Sequence, residues 1–148
     1  MFKKKIKKNI LIVDDTIDNV TLLENYLKNI KNIKIYKSYN PLDSIDILKK
    51  VKLSLILLDI QMDDLNGYEL ATKIKIGEFG NKNIDTPIIF ITAIYENDKD
   101  KLKGYNIGSI DYIIKPICSN IVDKIKIYLD SKNISQIKMT NLKKSINI

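Results

Sequence analysis

Asp14 and Asp15 follow directly on the apolar run "ILIV" (10–13). Adjacent like charges repel, and the exit of a buried strand is a poor place to leave them unpaired. A third carboxylate, Asp59, ends the run "LSLILL" (53–58). A hydroxyl, Thr92, ends "PIIFI" (87–91), and an ammonium, Lys115, ends "IDYII" (110–114) just before Pro116. Singly, each has an ordinary structural reading: acids cap helices, Asp opens turns, Thr belongs in strands and Lys covers surfaces. Those readings do not explain why all five stand at the same end of an apolar run. Brought together, three carboxylates and one lysine leave about −2 of charge, a repulsion of several kcal/mol at low effective dielectric. A divalent cation would offset it. The converging ligands are all oxygens and the chain has no His, so a hard ion is implied, and Mg²⁺ suits a site of few carboxylates, waters and phosphate oxygens. A carboxylate beside such an ion, a lysine and a hydroxyl is equipped for phosphoryl transfer: it can attack phosphorus and form an aspartyl phosphate. Lys115 would offset charge on the equatorial oxygens, and Thr92 would donate a hydrogen bond to one of them.

The elements that must position these groups alternate along the chain. The runs "NILIV" (9–13), "IKIYK" (33–37), "LSLILL", "PIIFI" and "IDYII" read as strands, three of them apolar enough to be buried on both faces. Between the first two, Ile17, Val20, Leu23, Leu27 and Ile30 recur at helical spacing. Leu42, Ile45 and Leu48 do so in 41–51, where Pro41 suits a first helical turn. Further helices are predicted at about 66–76, 97–107 and 119–131. Five βα units imply an α/β, doubly wound, three-layer sandwich with a parallel sheet. Such sheets bind ligands at the carboxyl ends of their strands. With strand order 2-1-3-4-5, the strands carrying the five residues are consecutive neighbours.

Composition narrows the function. The 148 residues suffice for one domain with its own core. The predicted organisation is a basic extension (1–8), the domain (9–131), and a tail or linker (132–148) whose heptad signal is weak. All 25 basic residues are Lys, so the net charge of +7 lacks the bidentate Arg of phosphate and base recognition. A solvated basic surface is expected, with no direct nucleic-acid binding. No run reaches a membrane span, the apolar stretch behind the basic N-terminus is too short for a signal peptide, and Cys118 is the single cysteine. A cytoplasmic location is expected. The glycine pattern of a dinucleotide fold and the Walker phosphate loop are both missing.

The motifs "LIVDD", "LLDIQM…NGYEL", "PIIFITA" and "DYIIKP" resemble the receiver domain of two-component response regulators over residues 8–131. Receivers are similar to flavodoxins in topology, which supports the 2-1-3-4-5 order. The resemblance implies Asp59 as phosphoacceptor and Lys115 as phosphate-binding lysine. For Mg²⁺, with Mn²⁺ as a substitute, it implies Asp15 and Asp59 as ligands, Asp14 largely through water, and the backbone carbonyl of Gln61. Thr92 and Tyr112 would form the switch pair, and Lys115–Pro116 a cis peptide. It implies a signalling domain that catalyses only its own phosphorylation and dephosphorylation. The phosphoryl donor would be a sensor histidine kinase or phosphotransfer protein. The responding surface, built from the predicted helix at 97–107, the fifth strand and the last helix, would control a partner or output module or form a homodimer. On that last helix Ile127 falls opposite the Val122–Ile125–Leu129 stripe and is expected to be exposed.

The chain departs from the family pattern in "MDDLNG", where Asp63 replaces a proline and Asn66 an acid, with Gly67 kept. A looser loop with altered metal affinity is expected. Ile94 and Gln61 stand where the family tunes water access, and an apolar Ile94 predicts slow dephosphorylation. The competing reading is a phosphohydrolase of the haloacid dehalogenase type. It needs an acid two residues after its nucleophile, where this chain has Gln61.

Overall fold

The computed structural model describes residues 7–62, 65–93 and 109–130. In chain order these form β1 (Lys8–Val13), α1 (Ile17–Leu27), β2 (Ile33–Ser38), α2 (Ser44–Lys50), β3 (Leu55–Asp59), α3 (Gly67–Lys75), β4 (Ile88–Thr92), β5 (Ser109–Ile114) and α4 (Ile121–Leu129). The five strands are parallel, in the order β2-β1-β3-β4-β5. This is the doubly wound α/β architecture the alternation implies. The predicted helix at 97–107 and the tail after Asp130 lie outside the described residues, as do Asp63, Asp64 and Ile94.

Alternation of side chains along each strand divides the core in two. Ile10, Ile12, Leu55, Leu57, Ile89 and Ile91 face Val20, Leu23 and Leu27 of α1 and Ile125 and Leu129 of α4. Leu11, Val13, Ile56, Leu58, Ile88 and Phe90 face Leu48 of α2 and Leu70, Ala71 and Ile74 of α3. Every residue of β3 and β4 is buried, which is why both runs lack polar positions until their final residues, Asp59 and Thr92. These two strands therefore present polar chemistry only where they leave the sheet.

Two periodic assignments shift. Ile17 is 62% exposed, because the α1 stripe meets the sheet only from Val20 onward. Leu42 is 58% exposed, because α2 begins at Ser44 and not at Pro41. Residues 40–44 are held instead as a turn: Asn40 Oδ1 accepts the Leu42 N–H at 2.8 Å, and the Ser44 hydroxyl donates to the Pro41 carbonyl at 2.6 Å. Side-chain bonds of this kind compete with helix formation. Ile127 is 50% exposed, as its place on the helix predicts.

At the opposite end of the sheet, the buried Asn83 joins two connections. Its Oδ1 accepts from the Leu53 N–H at 2.8 Å and the Thr86 hydroxyl at 2.8 Å. Its Nδ2 donates to the carbonyls of Leu48 and Val51 at 2.9 and 2.8 Å. One amide thus satisfies backbone groups around α2 and β3 that would otherwise be buried without partners. Among the described residues, no helix is long and apolar enough to cross a membrane.

Candidate functional site

The site is assembled by the exits of β1, β3, β4 and β5. Asp14 leaves β1 fully buried, its N–H donating to the Ser38 carbonyl at 3.1 Å. Its Oδ1 accepts the Thr16 N–H at 2.9 Å and its Oδ2 accepts from Asn19 Nδ2 at 3.2 Å. Asp14 does not cap α1, whose N-cap is Thr16 without a side-chain cap bond, but these two bonds fix the carboxylate's orientation. Asp15 is exposed. Asp59 leaves β3 only 2% exposed, and its Oδ1 accepts the Gln61 N–H at 3.3 Å. One carboxylate oxygen from each of Asp14, Asp15 and Asp59 lies within 4.8 Å of the others. Lys115 Nζ stands 3.5 Å from Asp59 Oδ1 and 3.7 Å from Asp14 Oδ2. The Lys115 N–H donates to the Thr92 carbonyl at 2.8 Å, tying β5 to β4 at this edge, and the Lys115–Pro116 peptide is cis. Thr92 is 4% exposed, one residue beyond Ile91, the register partner of Asp59.

The electrostatics follow from this crowding. Burial raises the Asp59 carboxyl from an ordinary 3.8 to about 6, the Asp14 charge pushes it the same way, and Lys115 together with the Gln61 N–H pulls against them. Two buried acids and one lysine leave surplus negative charge in a pocket whose donors are all carboxylate oxygens. That donor set fits a hard divalent cation such as Mg²⁺. It does not fit a soft or nitrogen-preferring ion.

The loop after β3 is closed by α3. The Gly67 N–H donates to the Ile60 carbonyl at 2.8 Å. A Cβ at Gly67 would meet the Asp59 carbonyl oxygen at 2.3 Å and the Ile60 Cα at 2.9 Å, so only glycine allows the helix start to press against the backbone of Asp59. Asn66 caps α3: its Oδ1 accepts the Glu69 N–H at 2.9 Å while its Nδ2 donates to Glu69 Oε1 at 2.9 Å. The residue in the acid's place thus starts a helix, and the N-x-x-E spacing at 66–69 is the signal that identifies it.

Tyr112 is 3% exposed on β5, register partner of Phe90. Its hydroxyl lies 3.0 Å from that of Tyr68 on α3. Tyr68 itself carries no sequence signal beyond its place in "NGYEL". Behind Tyr112, Asp111 pairs with Lys124 at 3.2 Å and accepts from the Tyr128 hydroxyl, while Lys124 also donates to the Tyr112 carbonyl at 3.3 Å. These contacts fasten β5 to α4.

The response regulator receiver domain model matches residues 10–126. The transcriptional regulatory protein YvrH of Bacillus subtilis is 36% identical over 108 residues, covering 73% of this chain and 43% of that protein. A probable cyclic di-GMP phosphodiesterase of Vibrio cholerae is 32% identical, over 73% of this chain and 23% of its own length. The chain thus spans less than half of either relative. A two-component response regulator from Clostridium difficile superposes with a TM-score of 0.74 at 33% identity, over 86% of this chain and 99% of that one. The receiver domain of the sensor histidine kinase PA1611 from Pseudomonas aeruginosa has the same fold, with a TM-score of 0.71 at 22% identity over 84% of this chain and 99% of that one. That structure is described with a magnesium ion coordinated in the active site cleft. With five parallel strands in this order and acids gathered at their carboxyl edge, the chain belongs to the response regulator receiver domain family.

Proposed function

We propose that the chain accepts a phosphoryl group on Asp59 in a Mg²⁺-dependent reaction and passes the change to a partner or output module. The observation that carries this reading is the buried Asp59 carboxylate, with acid oxygens of Asp14 and Asp15 within 4.8 Å and Lys115 Nζ at 3.5 Å. Asp14, Asp15, Asp59 and the Gln61 carbonyl are the groups that would hold the ion, and Mn²⁺ is an alternative with the same oxygen preference. When bound, the ion supplies charge neutralisation to the phosphoryl oxygens. Asp59 provides the nucleophilic oxygen. The O–P bond forms as the donor's bond to phosphorus breaks, and that bond's electron pair leaves with the donor. The donor is a histidine kinase or phosphotransfer protein carrying phosphohistidine. Lys115 offsets the charge left on the transferred group, and the Thr92 hydroxyl donates to it. Nearly full burial of Asp14 and Asp59 makes these interactions stronger than they would be in water.

Thr92 and Tyr112 carry the change to the surface of β5 and α4, where the exposed Ile114 and Ile127 are candidate contacts for a partner or a second copy of the chain. The reading places the domain in the cytoplasm, with no nucleic-acid contact of its own. Incubation with acetyl phosphate and Mg²⁺ should add the mass of one phosphoryl group, and Asp59→Asn or EDTA should abolish it. Undiminished labelling of the Asp59→Asn variant would refute the assignment.

A further inference from the structure

Tyr68 sits at a junction the phosphorylation chemistry does not use. It follows Gly67, the residue pressed against the carbonyl of Asp59. Its ring meets Phe90 of β4 edge-on, with centroids 4.9 Å apart. Phe90 in turn lies against Tyr112, centroids 5.7 Å apart. The two tyrosine hydroxyls meet at 3.0 Å in the interior, with Tyr68 7% and Tyr112 3% exposed. The hydrogen bond between the two buried hydroxyls ties each ring to the other.

We infer that Tyr68 is a positioning residue of the switch: its hydroxyl holds Tyr112 inward before any phosphoryl group is present, and it joins the helix start that touches Asp59 to the strand that carries the signal. This rests on the reading of Tyr112 as a switch residue. A switch residue free to swing would be divided between inward and outward positions, and phosphorylation would shift that division. Here the hydroxyl pair biases the resting protein toward the inward position. One net buried hydrogen bond sustains a population change of about five-fold. The clamp at Gly67 gives Asp59 a second route to Tyr112 through the backbone of α3, beside the route through Thr92.

Nitration of the full chain by tetranitromethane, read tyrosine by tyrosine by peptide mass mapping, tests the inference in the absence of Mg²⁺. In the wild type, Tyr112 should react slowly. In Tyr68→Phe it should react about five-fold faster, with Tyr26 and Tyr36 unchanged as internal controls of folding. The reciprocal variant Tyr112→Phe should raise the nitration of Tyr68 to a similar degree. Unchanged protection of Tyr112 in Tyr68→Phe, or of Tyr68 in Tyr112→Phe, would overturn the inference. Adding Mg²⁺ and beryllofluoride, a phosphoryl mimic, to Tyr68→Phe should return Tyr112 to slow reaction. A variant that gains reactivity at Tyr112 but ignores beryllofluoride would support the hydroxyl latch and contradict the phosphorylation reading, so the two failures are distinct.

Discussion

Replacing Asp59 with Asn removes a charge that the fold holds at a cost. Burial and the Asp14 carboxylate raise the Asp59 carboxyl from 3.8 to about 6, against the pull of Lys115. Below pH 4 the folded and unfolded chains both carry the proton, and the cost is absent. Between about 4 and 6 the unfolded chain ionises while the folded one does not, so this group lowers stability as pH rises, the reverse of a salt-bridged carboxylate. Above about 6 the cost is complete. A rise from 3.8 to about 6 corresponds to at most about 3 kcal/mol for a group so close to Lys115. Asn keeps an oxygen to accept the Gln61 N–H and carries no charge at any pH, so Asp59→Asn should be the more stable protein at pH 7.5 in EDTA. The expected gain in Tm is on the order of 10 °C for a domain of this size. The gain should shrink steadily towards pH 4. Thermal melts followed by circular dichroism at half-unit steps from pH 4 to 8 measure it. Mg²⁺ should narrow the gap at pH 7.5 by stabilising the wild type. A difference that stays constant across this range, or an Asn variant less stable at pH 8, would show that Asp59 is not held under charge strain.

Gly67→Ala should destabilise the domain by several kcal/mol or displace Asp59, because its Cβ meets backbone at 2.3 Å; urea unfolding and the rate of acetyl phosphate labelling report the two effects. Asn83→Ala removes the side chain that pairs with the Leu53 N–H, the buried Leu48 carbonyl and the half-buried Val51 carbonyl and should cost about 2–4 kcal/mol in urea unfolding, with the Mg²⁺ affinity of the folded protein unchanged. Asn66→Ala should cost about 1 kcal/mol through loss of the α3 cap, while Asn66→Asp should keep that stability, both read as Tm. Asp15→Asn should weaken the Mg²⁺-dependent rise in Tm by at least ten-fold in Mg²⁺ concentration, since Asp15 is the exposed acid of the cluster and, on the proposed reading, ligates the ion directly together with Asp59.

The local pattern was legible wherever burial imposes a period. The uninterrupted apolar runs of β1, β3 and β4 reveal strands covered on both faces, and Val20, Leu23 and Leu27 reveal the buried face of α1. Ile17 misleads because periodicity marks a side of a helix and not how far along it the sheet extends, and Leu42 because the helix starts only at Ser44. The candidate site was legible for a related reason. A strand buried on both faces admits polar residues only at its exit, so Asp14, Asp59 and Thr92 announce themselves by type and place, while Lys115 follows the edge strand β5, which carries Asp111 within it.

Strand order, by contrast, is not written in any one segment. Only the packed sheet puts β3 between β1 and β4 and so brings Asp59 beside Asp14 and Lys115. The contacts of Asn83, Gly67 and the Tyr68–Tyr112 pair are likewise invisible along the chain, because each joins residues whose nearness depends on how helices dock. Sequence alone determined which residues could do chemistry and which surfaces must be buried, since both depend on side-chain type and local period. Tertiary structure decided how strongly the chemistry is tuned, because desolvation and charge coupling depend on distance through space and not along the chain.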